Sequence, residues 1–166
     1  VTRPNQSGKL PVDVSLADGA IIEPLAVALH GVNLSGLQKN DKVLVLGAGP
    51  IGLAVALWAK RMGAAKVAVQ DVAHFQETRA LEMGADVVVV DPADPIGSAE
   101  RGLGGKADIV FECVGIPGLI EQAGHQLRPR GTRRGSTPHA GATRGVYGWR
   151  SRCRRRRRPL LPAYRL

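Results

Sequence analysis

The chain is poor in cysteine. Its 166 residues include two, Cys113 and Cys153, too few for a disulfide framework or a cysteine-rich zinc site. Cys113 lies in an apolar, strand-like run, where a packed thiol is expected. No secretory leader is recognisable, and no uninterrupted apolar run approaches the ~20 residues that a membrane-spanning helix needs. A soluble, cytoplasmic protein with no membrane partner is the expectation. The first residue is Val rather than Met, so nothing fixes Val1 as a natural start. The last absence is of acid. Residues 128–166 contain thirteen Arg but no Lys, Asp or Glu, whereas residues 1–127 carry ten basic against fourteen acidic side chains. The two parts have net charges of −4 and +13, which make up the +9 of the whole, so the basic character belongs to the tail and not to the rest.

What is present is organised around one stretch. Val43, Leu44, Val45 and Leu46 form an apolar, β-branched run that leads into Gly47-Ala48-Gly49-Pro50-Ile51-Gly52, followed by a helical segment over 53–62. Strand, G-x-G-x-x-G turn and helix in that order form the dinucleotide-binding fingerprint. Gly47 permits the tight turn, Gly49 a close approach of backbone to a pyrophosphate, and Gly52 close packing of helix on sheet. The helix aims its N-terminal N–H groups and positive dipole end at the phosphates. The next strand, Lys66–Gln70, ends at Asp71, nineteen residues after Gly52. An acid is needed about there to accept hydrogen bonds from an adenosine ribose. The bland alternative is a structural βαβ unit with an incidental surface Asp.

The remaining pattern extends this unit. Residues 1–19 read as irregular, with Pro4, Gly8 and Pro11. Pro24 suits a first helical turn, and the apolar positions after it fill most of a helix circumference, so that helix is expected to be buried. Glu23 then needs a partner, of which the helix dipole is the plainest. Asn40-Asp41 reads as a turn with Asn40 left-handed. A helix over 75–83 stops at Gly84, and the unalternating Val87, Val88, Val89 and Val90 suit a strand buried on both faces. Residues 94–105 form a polar crossover with one short helix, 107–115 a fourth strand, and 118–127 a helix. Alternating strands and helices imply an α/β fold, a doubly wound parallel sheet of Rossmann type with order 3-2-1-4 and right-handed crossovers. The cofactor belongs in the crevice between strands one and four, beside Gly115.

These pieces resemble the cofactor domain of the zinc-dependent medium-chain alcohol dehydrogenases. The similarity rests on Glu23-Pro24-Leu25-Ala26-Val27-Ala28-Leu29-His30, on Gly47-Ala48-Gly49-Pro50-Ile51-Gly52-Leu53, on Met83-Gly84-Ala85-Asp86 and on Asp108-Ile109-Val110-Phe111-Glu112. It spans residues 11–132 and is strongest to the polyol branch of sorbitol, butanediol and threonine dehydrogenases. The resemblance implies hydride transfer between a secondary alcohol and NAD, with zinc polarising the alcohol oxygen. It implies cofactor contacts at Gly47, Gly49, Pro50, Ile51, Gly52, Asp71, Val114 and Gly115, and places Glu23 at the catalytic zinc, as a ligand or a partner of the metal-bound water. Asp71 implies NAD over NADP, since a carboxylate repels a 2′-phosphate. The sequence departs from the family at Gln76, where a basic residue is common, and at Asn40, where glycine is usual. The Cys and His-Glu ligands that the family takes from an N-terminal catalytic domain have no counterpart here, and His30, His74, His125 and His139 do not replace them. The division expected is therefore 1–36 as the end of a catalytic domain with its connecting helix, 37–132 as the NAD-binding domain, and 133–166 as a tail. Such a chain binds NAD but has no catalytic residue of its own and does not complete the reaction. The substrate of the full enzyme is a small alcohol or polyol, and the family is usually homo-oligomeric, pairing through strands that should follow Thr132. The alternative is a non-catalytic NAD-binding module.

The tail fits none of this. After Arg128-Pro129-Arg130-Gly131-Thr132 an apolar strand is due, yet the sequence continues Arg133-Arg134-Gly135-Ser136 and shows no strand or helix periodicity through Arg154-Arg155-Arg156-Arg157-Arg158. The sheet is then incomplete, with strand four left as an exposed edge. We read the tail either as disordered or as a shifted reading frame, since a one-nucleotide slip through CGN and GGN codons gives codons beginning with G, among them valine. Five adjacent arginines bind phosphates non-specifically, and Tyr147, Trp149 and Tyr164 are available for stacking, but no nucleic-acid-binding fold is recognisable.

Overall fold

The computed structural model describes residues 8–91, 93–128 and 146–148. Their core is a parallel sheet of β1 (Lys42–Leu46), β2 (Lys66–Gln70), β3 (Val87–Val89), β4 (Ile109–Glu112) and β5 (Val146–Gly148), in the order β3-β2-β1-β4-β5. The helices are α1 (Leu16–Ala20), α2 (Ile22–Leu34), α3 (Pro50–Arg61), α4 (Glu77–Glu82), α5 (Pro95–Leu103) and α6 (Leu119–His125). The predicted order 3-2-1-4 holds, and Val87, Val88 and Val89 take their places beside Ala68, Val69 and Gln70.

Successive side chains of a strand face opposite ways, which divides the core in two. Val43, Val45, Val67, Val69, Ile109 and Phe111 are buried with α2 and α3 residues such as Ala28, Val32, Val55 and Ala59. Leu44, Leu46, Ala68 and Val110 are buried on the other face with Ala99, Leu103 and Ala123. The unalternating apolar runs are therefore explained by helices on both faces.

Three expectations need correction. Residues 16–20 are helical rather than irregular. Ser15 caps α1 by accepting the Asp18 N–H at 3.1 Å and donates its hydroxyl to the Asp18 carboxylate at 2.6 Å, a reciprocal cap that the Ser-x-x-Asp spacing announces. The second correction concerns α2, which is not buried all round. Ala28 and Val32 face the core, whereas Ile21, Ile22 and Leu34 are exposed, as is Glu23. This helix rests on α3, where the Trp58 indole donates to the Leu25 carbonyl at 3.0 Å, and its far side has no described layer above it. The third lies in the tail. Val146–Gly148 pairs parallel to β4, in the register Val110↔Val146 and Glu112↔Gly148. Three residues are too few to show periodicity, and the open edge of β4 supplies the template for their pairing. The remaining expectations for 133–166 lie outside the described residues.

The ends of the strands remote from the glycine turn are tied by side chains. Asp108 accepts the Lys42 N–H at 2.9 Å, and Asp86 accepts the Val67 N–H at 2.8 Å while Lys60 donates to both its oxygens at 2.6 and 2.8 Å. Burial opposes the charged form of Asp86, but the Lys60 ammonium, the Val67 N–H and the charge of Lys66 outweigh it and hold the carboxyl below its ordinary value. A carboxyl depressed in the folded state stabilises it above the unfolded pKa and loses that contribution as pH falls through the folded one. Stability measured by urea should therefore fall below about pH 4, and Asp86→Asn should flatten that part of the pH profile. An unchanged profile would remove Asp86 from it.

Candidate functional site

The register Leu46↔Gln70 and Leu46↔Glu112 brings the carboxyl ends of β2, β1 and β4 to one level. The glycine turn leaves the sheet at that level. Gly47 has φ +98°, and its N–H donates to the Gln70 carbonyl at 2.7 Å. On the other side, the Cys113 N–H donates to the Leu46 carbonyl at 2.9 Å. Gly52 is buried in the first turn of α3, where a Cβ would collide with the Gly47 carbonyl oxygen. Turn and helix are locked together by that close approach, as the sequence anticipated.

Gly49 is different. It has ordinary extended dihedrals, φ −71° and ψ 179°, and a Cβ there would meet no atom of the described residues within 4 Å. Among the described residues, neither the backbone conformation nor the packing requires glycine at that point. Gly49 is also the N-cap of α3 and supplies no side-chain acceptor, with Pro50 next. The first-turn N–H groups of a helix lack intrahelical partners, so a positively polarised, uncapped terminus faces open space above a glycine. This is the arrangement that fits an anion such as a pyrophosphate.

Asp71 lies immediately beyond β2 and is half-buried. One carboxylate oxygen accepts the Ala48 N–H at 2.6 Å and the other the Ala73 N–H at 2.9 Å. The acid therefore braces the glycine turn against the end of β2. Each oxygen retains a lone pair with which a ribose hydroxyl could be bound. Gln76 sits in a 3₁₀ turn (His74–Gln76), its side-chain oxygen 3.3 Å from an Arg79 guanidinium nitrogen.

On the β4 side, Val114 and Gly115 reach the crevice but not with their N–H groups. Both donate to one oxygen of Glu112, at 2.7 and 2.6 Å. The Val114 side chain is half-exposed and stands close to Gly47, whose Cβ, if present, would lie 2.7 Å from a Val114 methyl. Glu112 itself is 1 % exposed. The sequence reading passed over it, although a charged residue inside an apolar strand, two positions before a predicted contact, was the available signal. Val72 and Ile116 were also missed. They follow the ends of β2 and β4 and expose apolar side chains on either side of the glycine turn.

The Cys113 thiol is pushed up to about 12, mainly by burial and further by the Glu112 charge. Iodoacetamide at pH 8 should therefore leave Cys113 unmodified in the native protein and label it after denaturation, as read by peptide mass spectrometry. Rapid native labelling would contradict a packed thiol.

Glu23 stands in the first turn of α2, exposed. Among the described residues no group of three His, Cys, Asp or Glu comes together to hold a metal, so Glu23 does not meet a ligand set there. No helix among them is long and apolar enough to cross a membrane.

The strand order, the glycine turn under the α3 terminus and the acid at the end of β2 define a doubly wound α/β domain of Rossmann type. Comparison with known proteins narrows this. Residues 50–133, half of the chain, match the family described as zinc-binding dehydrogenase. The chain is 39 % identical over 128 residues to sorbitol dehydrogenase of Bos taurus, covering 75 % of this chain and 36 % of that protein. Among solved structures, 2R,3R-butanediol dehydrogenase from Bacillus subtilis is 35 % identical with a TM-score of 0.61, over 72 % of this chain and 35 % of that one. A zinc-binding dehydrogenase from Sinorhizobium meliloti 1021, bound to NADP, is 28 % identical with a TM-score of 0.71, over 87 % and 47 % of the two chains. The chain belongs to the zinc-binding dehydrogenase family, and it spans about a third of the length of the curated relatives it matches.

Proposed function

We propose that this chain is the NAD-binding part of a zinc-dependent alcohol or polyol dehydrogenase, which transfers hydride between a secondary alcohol and NAD. The open space above Gly49, at the uncapped start of α3, carries this reading, because nothing among the described residues accounts for a glycine there. Gly47, Gly49, Pro50, Ile51 and Gly52 would hold the pyrophosphate, and Asp71 the adenosine ribose. Val72 and Ile116 would give the adenine apolar contacts. Val114 and Gly115 would line the crevice with side chain and carbonyl groups, since Glu112 takes their N–H groups.

Asp71 favours NAD over NADP by charge repulsion. The NADP bound by the Sinorhizobium relative makes that preference a point to measure. Zinc in such an enzyme would polarise the alcohol oxygen. A catalytic zinc needs three protein ligands, and the described residues contribute at most Glu23, so no step is assigned to zinc in this chain alone. In the same reading, residues 1–36 close a catalytic domain, 37–132 bind NAD and 133–166 are the Arg-rich tail.

Calorimetric titration of the full chain with NAD tests the reading. Saturable one-to-one binding in the micromolar to millimolar range, with no turnover of sorbitol or 2,3-butanediol in added zinc, is expected. Absence of saturable binding would overturn it. The second reading is a non-catalytic NAD-binding module. A zinc-dependent rate from this chain would exclude that second reading.

A further inference from the structure

The two ends of the sheet differ in charge. Lys42 and Lys66 open β1 and β2, and Lys106 shortly precedes β4, so lysines gather where the strands begin. The segments 47–50, 71–76, 90–94 and 113–118, which follow the carboxyl ends of β1 to β4, hold no Lys or Arg. They do hold Asp71, Asp91 and Asp94. A pyrophosphate is a dianion, and no lysine or arginine of these four segments answers its charge. The fifth strand changes this. β5 runs parallel to β4 with Gly148 opposite Glu112, and Glu112 is level with Leu46. The chain therefore leaves β5 at the level of the glycine turn. Neighbouring strands stand about 4.8 Å apart, which puts the end of β5 roughly 10 Å from that of β1, across β4. Seven of the ten residues after Gly148 are arginine, namely Arg150, Arg152 and Arg154 to Arg158. Each residue of extended chain spans up to about 3.5 Å, and the long side chain adds to that. Arg150 and Arg152 already have the reach to meet a ligand over the glycine turn.

Resting on the NAD-binding reading above, we propose that the arginines after β5 supply the countercharge for the phosphates of the dinucleotide. A guanidinium offers paired N–H donors that match phosphate oxygens, and the α3 terminus adds its own positive potential from the other side. The arginines before β5 provide the contrast. The Arg128 N–H donates to the Ala107 carbonyl at 2.8 Å, before β4 begins, and Val146 opens β5 opposite Val110. Arg133, Arg134 and Arg144 therefore belong to a connection whose two ends are both fixed away from the glycine turn.

The test is calorimetric titration of the full chain with NAD, inorganic pyrophosphate and adenosine. Replacing the seven arginines after Gly148 with Gln should weaken NAD and pyrophosphate about tenfold, with adenosine kept within about twofold of the parent. Replacing Arg133, Arg134 and Arg144 with Gln should leave all three ligands near their parental affinities. Parental NAD binding should also weaken severalfold between about 20 and 300 mM salt, because screening acts on exposed charges. That salt series needs no variant, so it decides even where a substituted chain fails to fold, and salt-independent binding would overturn the proposal. An unchanged NAD affinity after the seven replacements would overturn it too. So would a loss shared between the two sets in proportion to the charge removed, which would reflect net charge and not place. If the parent binds pyrophosphate through these arginines but does not bind NAD, the NAD-binding reading fails while the anion site stands. A parent that binds neither would overturn both.

Discussion

Gly52→Ala should destabilise the chain by about 3 kcal/mol in urea unfolding and abolish measurable NAD binding. The Cβ would land on the Gly47 carbonyl oxygen and within 3.4 Å of a Val45 methyl. The oxygen belongs to a backbone fixed by the Gly47 N–H bond to Gln70, so it has no rotamer by which to move aside. Relief must come from α3 lifting off the sheet, which opens the packing of Ala54, Val55 and Ala59 against Val43 and Val45. Such a loss is a large share of the roughly 5–15 kcal/mol that holds a typical domain together. Gly49→Ala is the informative contrast. Its added methyl meets nothing and its dihedrals are ordinary, so stability should stay within about 0.5 kcal/mol. NAD affinity should nonetheless fall tenfold or more, because the methyl occupies the space assigned to the pyrophosphate. A Gly49→Ala chain that binds NAD normally would refute that assignment, and a fully stable Gly52→Ala chain would refute the close packing.

The second large effect is at Asp71. Asp71→Ala removes the acceptor for the Ala48 and Ala73 N–H groups as well as the proposed ribose contact. NAD affinity should drop about 10- to 100-fold, since charge-assisted hydrogen bonds are worth about 1.5–3 kcal/mol each. Stability should fall less, because the site is half-exposed and water can reach the freed N–H groups. Asp71→Asn separates the two roles. It keeps one acceptor oxygen for the turn but loses the charge that repels a 2′-phosphate, so the ratio of NAD to NADP affinity should fall about tenfold. Binding constants for both cofactors on parent and variant decide this. An unchanged ratio would mean that Asp71 does not discriminate between them.

The fold was legible because its signals are short and local. Four apolar residues before Gly47, the G-x-G-x-x-G spacing and the four valines from Val87 to Val90 fix strands and order without reference to distant contacts. The left-handed Asn40 followed equally from its own chemistry, and its φ is 71°. What escaped depends on distant neighbours. The exposed side of α2 follows from the absence of a described layer above it, which no pattern within the helix encodes. The pairing of Val146–Gly148 is set by the edge of β4. Beside it, the glycine turn and the place of Asp71 were legible because strand end, tight turn and helix start follow one another directly in the sequence. The bond from Asp71 to Ala48 and the capture of two N–H groups by Glu112 were not, because they depend on how side chains turn at the strand ends. Glu23 shows the converse. Its family resemblance is clear, but the residues that would complete a metal site are not among those described.

The most direct test of the glycine turn as a dinucleotide site is an NMR titration of the full, isotopically labelled chain with NAD. Amide shifts should saturate at one equivalent and concentrate at Gly47 to Gly52, at Asp71 to Ala73 and at Val114 to Ile116. Shifts that never saturate, or that gather elsewhere while the Gly49 amide stays unmoved, would show that the crevice does not hold the cofactor.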